Sequence, residues 1–177
     1  PLDEAVGRLV EVIRRERPQV LLTYGDDQRW YPHPDHIRVY EVSMAAVEAS
    51  ADADRYPEAG EPWEVAKVYW SVWARKRMEE MHRAFVDNGI ESPFDDAWFE
   101  RPSHDDRITT TIDVDGLYEI RAGALRAHAT QIDPESPFWF GLPDEVLATI
   151  HPYEDYIRAV STVDADLPED DLFAGLR

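Results

Sequence analysis

QVLLTYGDDQRWYPHPDHIRVYEV, Gln19 to Val42, is the stretch that decides how this chain is read. Gln19 to Tyr24 is a short apolar run that reads as a buried strand. Gly25 to Trp30 reads as a loop. Pro34 suits a first helical turn, and Val39, Val42, Ala46 and Val47 carry a helical face to about Ser50. Strand, loop and helix follow one another, and in an α/β fold ligands gather at the carboxyl ends of strands. Tyr31, His33, Asp35 and His36 therefore stand where a site is expected. Pro32 and Pro34 restrict the backbone around His33, so the two imidazoles need not point the same way. One could bind a metal while the other faces a substrate. The plainer alternative is that histidines near a helix start are polar surface residues. Two histidines do not complete a catalytic zinc site, which takes three protein ligands and an open position. Further ligands would have to come from distant segments or from another chain.

Working outward, Asp3 is expected to cap a helix whose face carries Val6, Leu9, Val10 and Ile13, with Pro18 ending it. Residues 51–62 read as a polar surface loop. Glu64 to Trp73 is β-branched and aromatic, a second strand. Residues 74–89 return to helical spacing through Met78, Met81 and Phe85, with Gly89 as a C-terminal cap. Residues 91–106 look irregular. Ile108, Thr110, Ile112 and Val114 alternate as a half-buried strand. Residues 116–132 read as a helix, residues 151–161 as a late short one, and the tail is acidic. This is the rhythm of an α/β layered fold. Three strands are few for a doubly wound sheet, which suggests that part of the sheet lies elsewhere.

The length of 177 residues fits one domain, 1–177. Eighteen basic residues against 37 acidic ones leave a net charge of -19, which repels phosphate backbones and anionic bilayers. Nucleic acid and membrane are thus poor partners, and a small polar substrate is compatible. With no cysteine, disulfides, thiolate ligands and a cysteine nucleophile are excluded, so any metal is held by His, Asp or Glu. No run approaches the ~20 apolar residues of a membrane span, and no signal peptide opens the chain. The expected location is the cytoplasm. The first residue is not Met and a formed helix begins at once, which suggests a processed or partial chain.

YPHPDHIRVYEVSMAAVEA, AGEPWEVAKVYW, ALRAHATQIDP and the terminal DLFAG together resemble the mycothiol S-conjugate amidase branch of the LmbE-like (PIG-L) zinc de-N-acetylase superfamily. The resemblance runs along essentially the whole chain. It implies a Rossmann-like fold with zinc at the strand ends, and an A-H-P-D-D-E motif supplying two ligands and a general base. That motif does not occur in the chain, so by the resemblance the chain looks like the carboxyl-terminal portion, with its amino-terminal segment as a missing partner. The resemblance implies His36 as a zinc ligand, with Fe2+ as a possible substitute. It gives His33 the role of acid or oxyanion stabiliser, Tyr31 that of oxyanion donor, and Asp35 that of orienting an imidazole. It implies hydrolysis of an amide in a mycothiol S-conjugate, a small-molecule thiol conjugate. One alternative is deacetylation of an N-acetylglucosaminyl (amino-sugar) substrate. Another is a catalytically silent piece that needs its partner segment. Arg29 and Trp30 stand where this family usually has small residues, and are expected to shape the substrate pocket.

His128, on the expected inner face of its helix, is open to two readings, a packed histidine bonded to backbone or a substrate-binding one. Asp26 and Asp27 read as a solvated loop pair or as binders of hydroxyls or a second cation. His82, His104 and His151 read as surface positions. Trp63, Trp70, Trp73, Trp98 and Trp139 read mostly as packing aromatics. Pro137 to Pro143 is apolar enough to line a groove.

Overall fold

The computed structural model describes residues 1–26 and 33–177. Among them the elements run α1 (Leu2–Glu16), β1 (Val20–Tyr24), α2 (Pro34–Ala51), β2 (Lys67–Val72), α3 (Arg75–Asp87), α4 (Asp96–Phe99), β3 (Thr110–Asp113), α5 (Tyr118–Ala127), α6 (Pro137–Phe140), α7 (Asp144–Leu147) and β4 (Tyr153–Ser161), with short 3-10 turns at Pro57–Ala59 and Asp105–Arg107. The fold is α/β, as expected, and its four strands hydrogen-bond in the order β1-β2-β4-β3. β1 and β2 are parallel, with Val20 opposite Lys67 and Tyr24 opposite Ser71. A parallel pair needs a crossover, and α2 supplies it. No helix among the described residues is long and apolar enough to cross a membrane.

By internal contact the chain divides into two compact units, one of residues 1–72, 108–110 and 156–177, the other of residues 73–107 and 111–155. In the first unit, Val6, Val10 and Ile13 of α1 meet Ala46 and Ala49 of α2 together with Val65 and Val68. The three α1 residues recur at helical spacing, so one stripe of the helix is buried. Arg14 follows them into the interior. It is only 4% exposed, and its guanidinium donates to the carbonyls of Ala49, Ser50, Asp52, Arg55, Tyr56 and Gly60. The carbonyls at the end of α2 and in the loop after it thereby converge on one buried cation, which adds to the backbone N–H donors that several of them already have. In the second unit Phe85, Leu142 and Leu147 form the buried centre, with Met81, Ala84, Tyr118, Val146 and Ile150 around it.

Several local expectations are corrected. Residues 153–161 form strand β4, not a helix. α1 begins two residues earlier than a cap at Asp3 allows, with Pro1 as its N-cap residue, and the Asp3 carboxylate instead accepts from the Tyr56 hydroxyl at 2.6 Å. α1 ends on Arg17, which takes a left-handed conformation (φ 51°) just before Pro18. The helix expected over 116–132 is confined to Tyr118–Ala127, and its carboxyl-terminal neighbours form turns. Gly89 does follow α3 at positive φ, as a cap requires.

Candidate active site

β1 and α2 meet through a buried pair of hydroxyls. Thr23 donates to Ser43 at 2.9 Å, one residue before the strand ends. Gly25 follows Tyr24 and lies against Trp70, where an added Cβ would approach the indole's own Cβ at 3.2 Å. Trp70 is braced in turn by the edge of Tyr40 at 5.7 Å and donates its indole N–H to Met44 at 3.5 Å. The end of β1 and the body of α2 are thus tied at several points within the first unit.

His33 is the N-cap residue of α2. Its backbone is extended, its Nδ1 accepts from the Asp35 backbone N–H at 3.2 Å, and Pro34 occupies the first helical position. The motif is therefore a helix start and a histidine cluster at once. Accepting at Nδ1 leaves the neutral ring with its proton on Nε2. The Asp35 carboxylate lies 3.9 Å from Nδ1. His36 stands one helical turn on. The two imidazole centroids are 5.3 Å apart with planes tilted by 42°. His36 also stacks on Tyr24, with centroids 4.1 Å apart and planes 16° apart. Burial, and then the neighbouring His33, push the His36 pKa below its ordinary value, while Asp35 works against them. His36 is thereby biased to the neutral form, whose lone pair a metal requires.

The residues present fit a zinc ion in part. A half-buried neutral imidazole on a fixed helical turn is a suitable ligand, with His33 beside it. Among the described residues no group of three or more His, Asp or Glu side chains converges as a metal cage. The structure places His33, Asp35 and His36 together at the carboxyl end of β1. Arg29, Trp30, Tyr31 and Asp27 lie outside the described residues. Asp26 sits exposed two residues beyond the strand.

His128 belongs to the second unit. It is exposed, at the end of α5, and its Nδ1 is 2.8 Å from the Ala124 carbonyl. The expected backbone bond is there, and the expected inner-face position is not, because α5 buries only Ala122. His151 is a further correction. It is 6% exposed rather than on the surface, and its Nε2 lies 2.6 Å from Asp155, which also accepts from Thr111. Phe138, Trp139 and Phe140 do line a cavity within the second unit, of about 50 Å³, together with Trp73 and Met78.

One cluster in the first unit has no local signal in the sequence. The Glu169 carboxylate, fully buried, accepts from Lys67 (2.5 Å), Tyr69 (2.8 Å), Thr110 (2.9 Å) and Arg158 (2.9 Å). Lys67 also donates to the Ala174 carbonyl at 2.7 Å, and the Tyr69 hydroxyl lies 3.2 Å from that of Leu172. The DLFAG ending is thus held against β2. Burial opposes charge on Glu169, but its four donors outweigh burial and hold its pKa below the ordinary value.

No family model matches the chain. It is 46% identical over 183 aligned positions to the mycothiol S-conjugate amidase of Streptomyces coelicolor, covering 99% of this chain and 61% of the relative. It is 42% identical to the 1D-myo-inositol 2-acetamido-2-deoxy-alpha-D-glucopyranoside deacetylase of Geodermatophilus obscurus and 43% identical to that of Rhodococcus erythropolis, covering 99% of this chain and 60% of each. The chain spans about three fifths of the length of these curated relatives. In fold it is similar to the conserved protein TT1542 of Thermus thermophilus, with a TM-score of 0.50 and 17% identity over 92% of this chain and 61% of that one. Along 99% of its residues, then, the chain is similar to the mycothiol S-conjugate amidase and to the inositol acetamidoglucopyranoside deacetylases.

Proposed function

We propose that the chain is part of a zinc-dependent hydrolase that cleaves the amide of mycothiol S-conjugates, a detoxification step. The observation that carries the reading is its 46% identity to a mycothiol S-conjugate amidase across 99% of the chain. The pairing of His33 and His36 at a strand's carboxyl end supports it. His36 would hold the metal, and Fe2+ could take the place of Zn2+. When bound, such an ion polarises a carbonyl and makes water a nucleophile near neutral pH.

The chain's own residues take the remaining parts. Once Nδ1 has taken up the proton lost by the attacking water, His33 as imidazolium would hand its Nε2 proton to the departing amine, which leaves poorly unless protonated, and return to the neutral ring. The Asp35 carboxylate would steady the ring as Nδ1 turns from acceptor to donor. Tyr31 would donate to the oxyanion, a role typically worth about 3 kcal/mol in rate. Arg29 and Trp30 would border the substrate. Turnover would depend on residues beyond this chain, because one clear ligand is not a catalytic set. An amino-terminal segment, supplied within a longer chain or as a separate one, is the proposed partner.

Deacetylation of an acetamidoglucosyl inositol is the second reading, favoured by the 42% and 43% identities to such deacetylases. Zinc-loaded protein joined to the complementary two fifths should be given both substrates, and the released primary amine measured. Amine from the S-conjugate supports the amidase. Amine from the acetylated glucosaminide alone overturns it in favour of the deacetylase.

A further inference from the structure

Tyr24 is the last residue of β1, and its ring lies nearly parallel to the His36 imidazole, 4.1 Å away. An imidazole on the first turn of a helix can swing about χ1 and χ2, and its second ring dihedral is broad. A flat neighbour at stacking distance removes most of that freedom. The neighbour is itself fixed. Tyr24 pairs with Ser71 of β2, Thr23 is hydrogen-bonded to Ser43 of α2, and Gly25 is pressed against Trp70. The Tyr24 ring is thus carried by the sheet and the His36 ring by the helix, and the Thr23–Ser43 bond sets the two elements in register. The His33 ring is 5.3 Å from the same imidazole but tilted by 42°, so it does not set the plane as Tyr24 does.

We infer that Tyr24 is a positioning residue that fixes the plane of the His36 ring through stacking, and so prepares it to ligate a metal ion. The inference rests on the proposed role of His36 and deepens it. Groups that orient a ligand in this way typically change metal affinity 10–100-fold when removed. The phenyl ring suffices for stacking, so Tyr24→Phe should keep the effect and Tyr24→Leu should lose it. A role through the hydroxyl would give the opposite order for Tyr24→Phe.

Two readouts test it. In the metal-free protein, the His36 ring protons should show an upfield ring-current shift in NMR spectra, kept in Tyr24→Phe and lost in Tyr24→Leu. In competition with a chelating dye, the zinc Kd should stay within about twofold of the parent in Tyr24→Phe and rise about tenfold or more in Tyr24→Leu, at an unchanged thermal midpoint. An unshifted His36 in the parent protein overturns the inference whatever the variants do, including a Tyr24→Leu that fails to fold. Equal zinc affinity in folded Tyr24→Leu and the parent overturns it as well. An intact upfield shift with no zinc effect at His36 in the parent instead overturns the metal reading on which the inference stands.

Discussion

At the scale of single residues, Arg14 does the most structural work in the first unit. Its guanidinium bonds six carbonyls at the end of α2 and in the loop after it, four of which also accept a backbone N–H. Charged hydrogen bonds contribute more than neutral ones, and six of them end on this one buried side chain. Arg14→Ala should therefore cost about 3 kcal/mol or more, read by urea denaturation, and Arg14→Lys should recover only part of it. Glu169 makes a second prediction, with a defined sign. Its folded pKa lies below its unfolded one, so its contribution is fully present above the ordinary value of 4.5 and is lost as pH falls through the depressed folded value. Glu169→Gln should be less stable than the parent at neutral pH, and the gap should narrow on acidification below that value. A gap that stays constant down to strongly acidic pH would contradict this. Neither residue announces itself in the sequence. Arg14 sits among the charges that end an amphipathic helix, and Glu169 sits in an acidic tail that reads as solvated. Both are buried by partners 11 to 102 residues away, and no local pattern encodes that.

At the scale of elements, periodicity told helix from strand wherever one face is simply apolar. α1, β1, α2, β2 and β3 are legible for that reason. β4 is not, because burial does not follow apolar character at its start. Tyr153 is exposed and Asp155 is buried, held by His151 and Thr111. A strand that buries a carboxylate does not look like one. α5 misleads in the other direction, since its helical spacing is real but only Ala122 is covered. Helical hydrogen bonds backed by so little packing open easily. Amide hydrogen exchange should therefore be fast across Tyr118–Ala127 and slow across Lys67–Val72. Comparable protection in the two would count against this account of α5. The candidate site lies between these extremes. Its position at the end of β1 followed from the strand–loop–helix order, whereas the stacking of Tyr24 on His36 depends on how β1 is registered against α2.

At the scale of the whole molecule, a net charge of -19 on 177 residues is a standing repulsion within the compact state. Raising NaCl from about 0.01 to 0.3 M shortens the screening length from about 30 Å to under 10 Å and should lift the thermal midpoint by a few degrees. A midpoint that falls would mean that attractive ion pairs outweigh the net charge. The same charge suits a protein whose relatives act on small molecules, and the chain's extent sets how far function can be read from it. Three fifths of the relatives' length brings His33, Asp35 and His36 to a strand end without a full ligand set among the described residues. The most direct test of the central claim is a zinc titration of the protein followed at the His36 ring resonances. The account predicts a saturable zinc-dependent change there that His36→Ala abolishes. Zinc binding that leaves the His36 resonances unmoved and survives His36→Ala would contradict it.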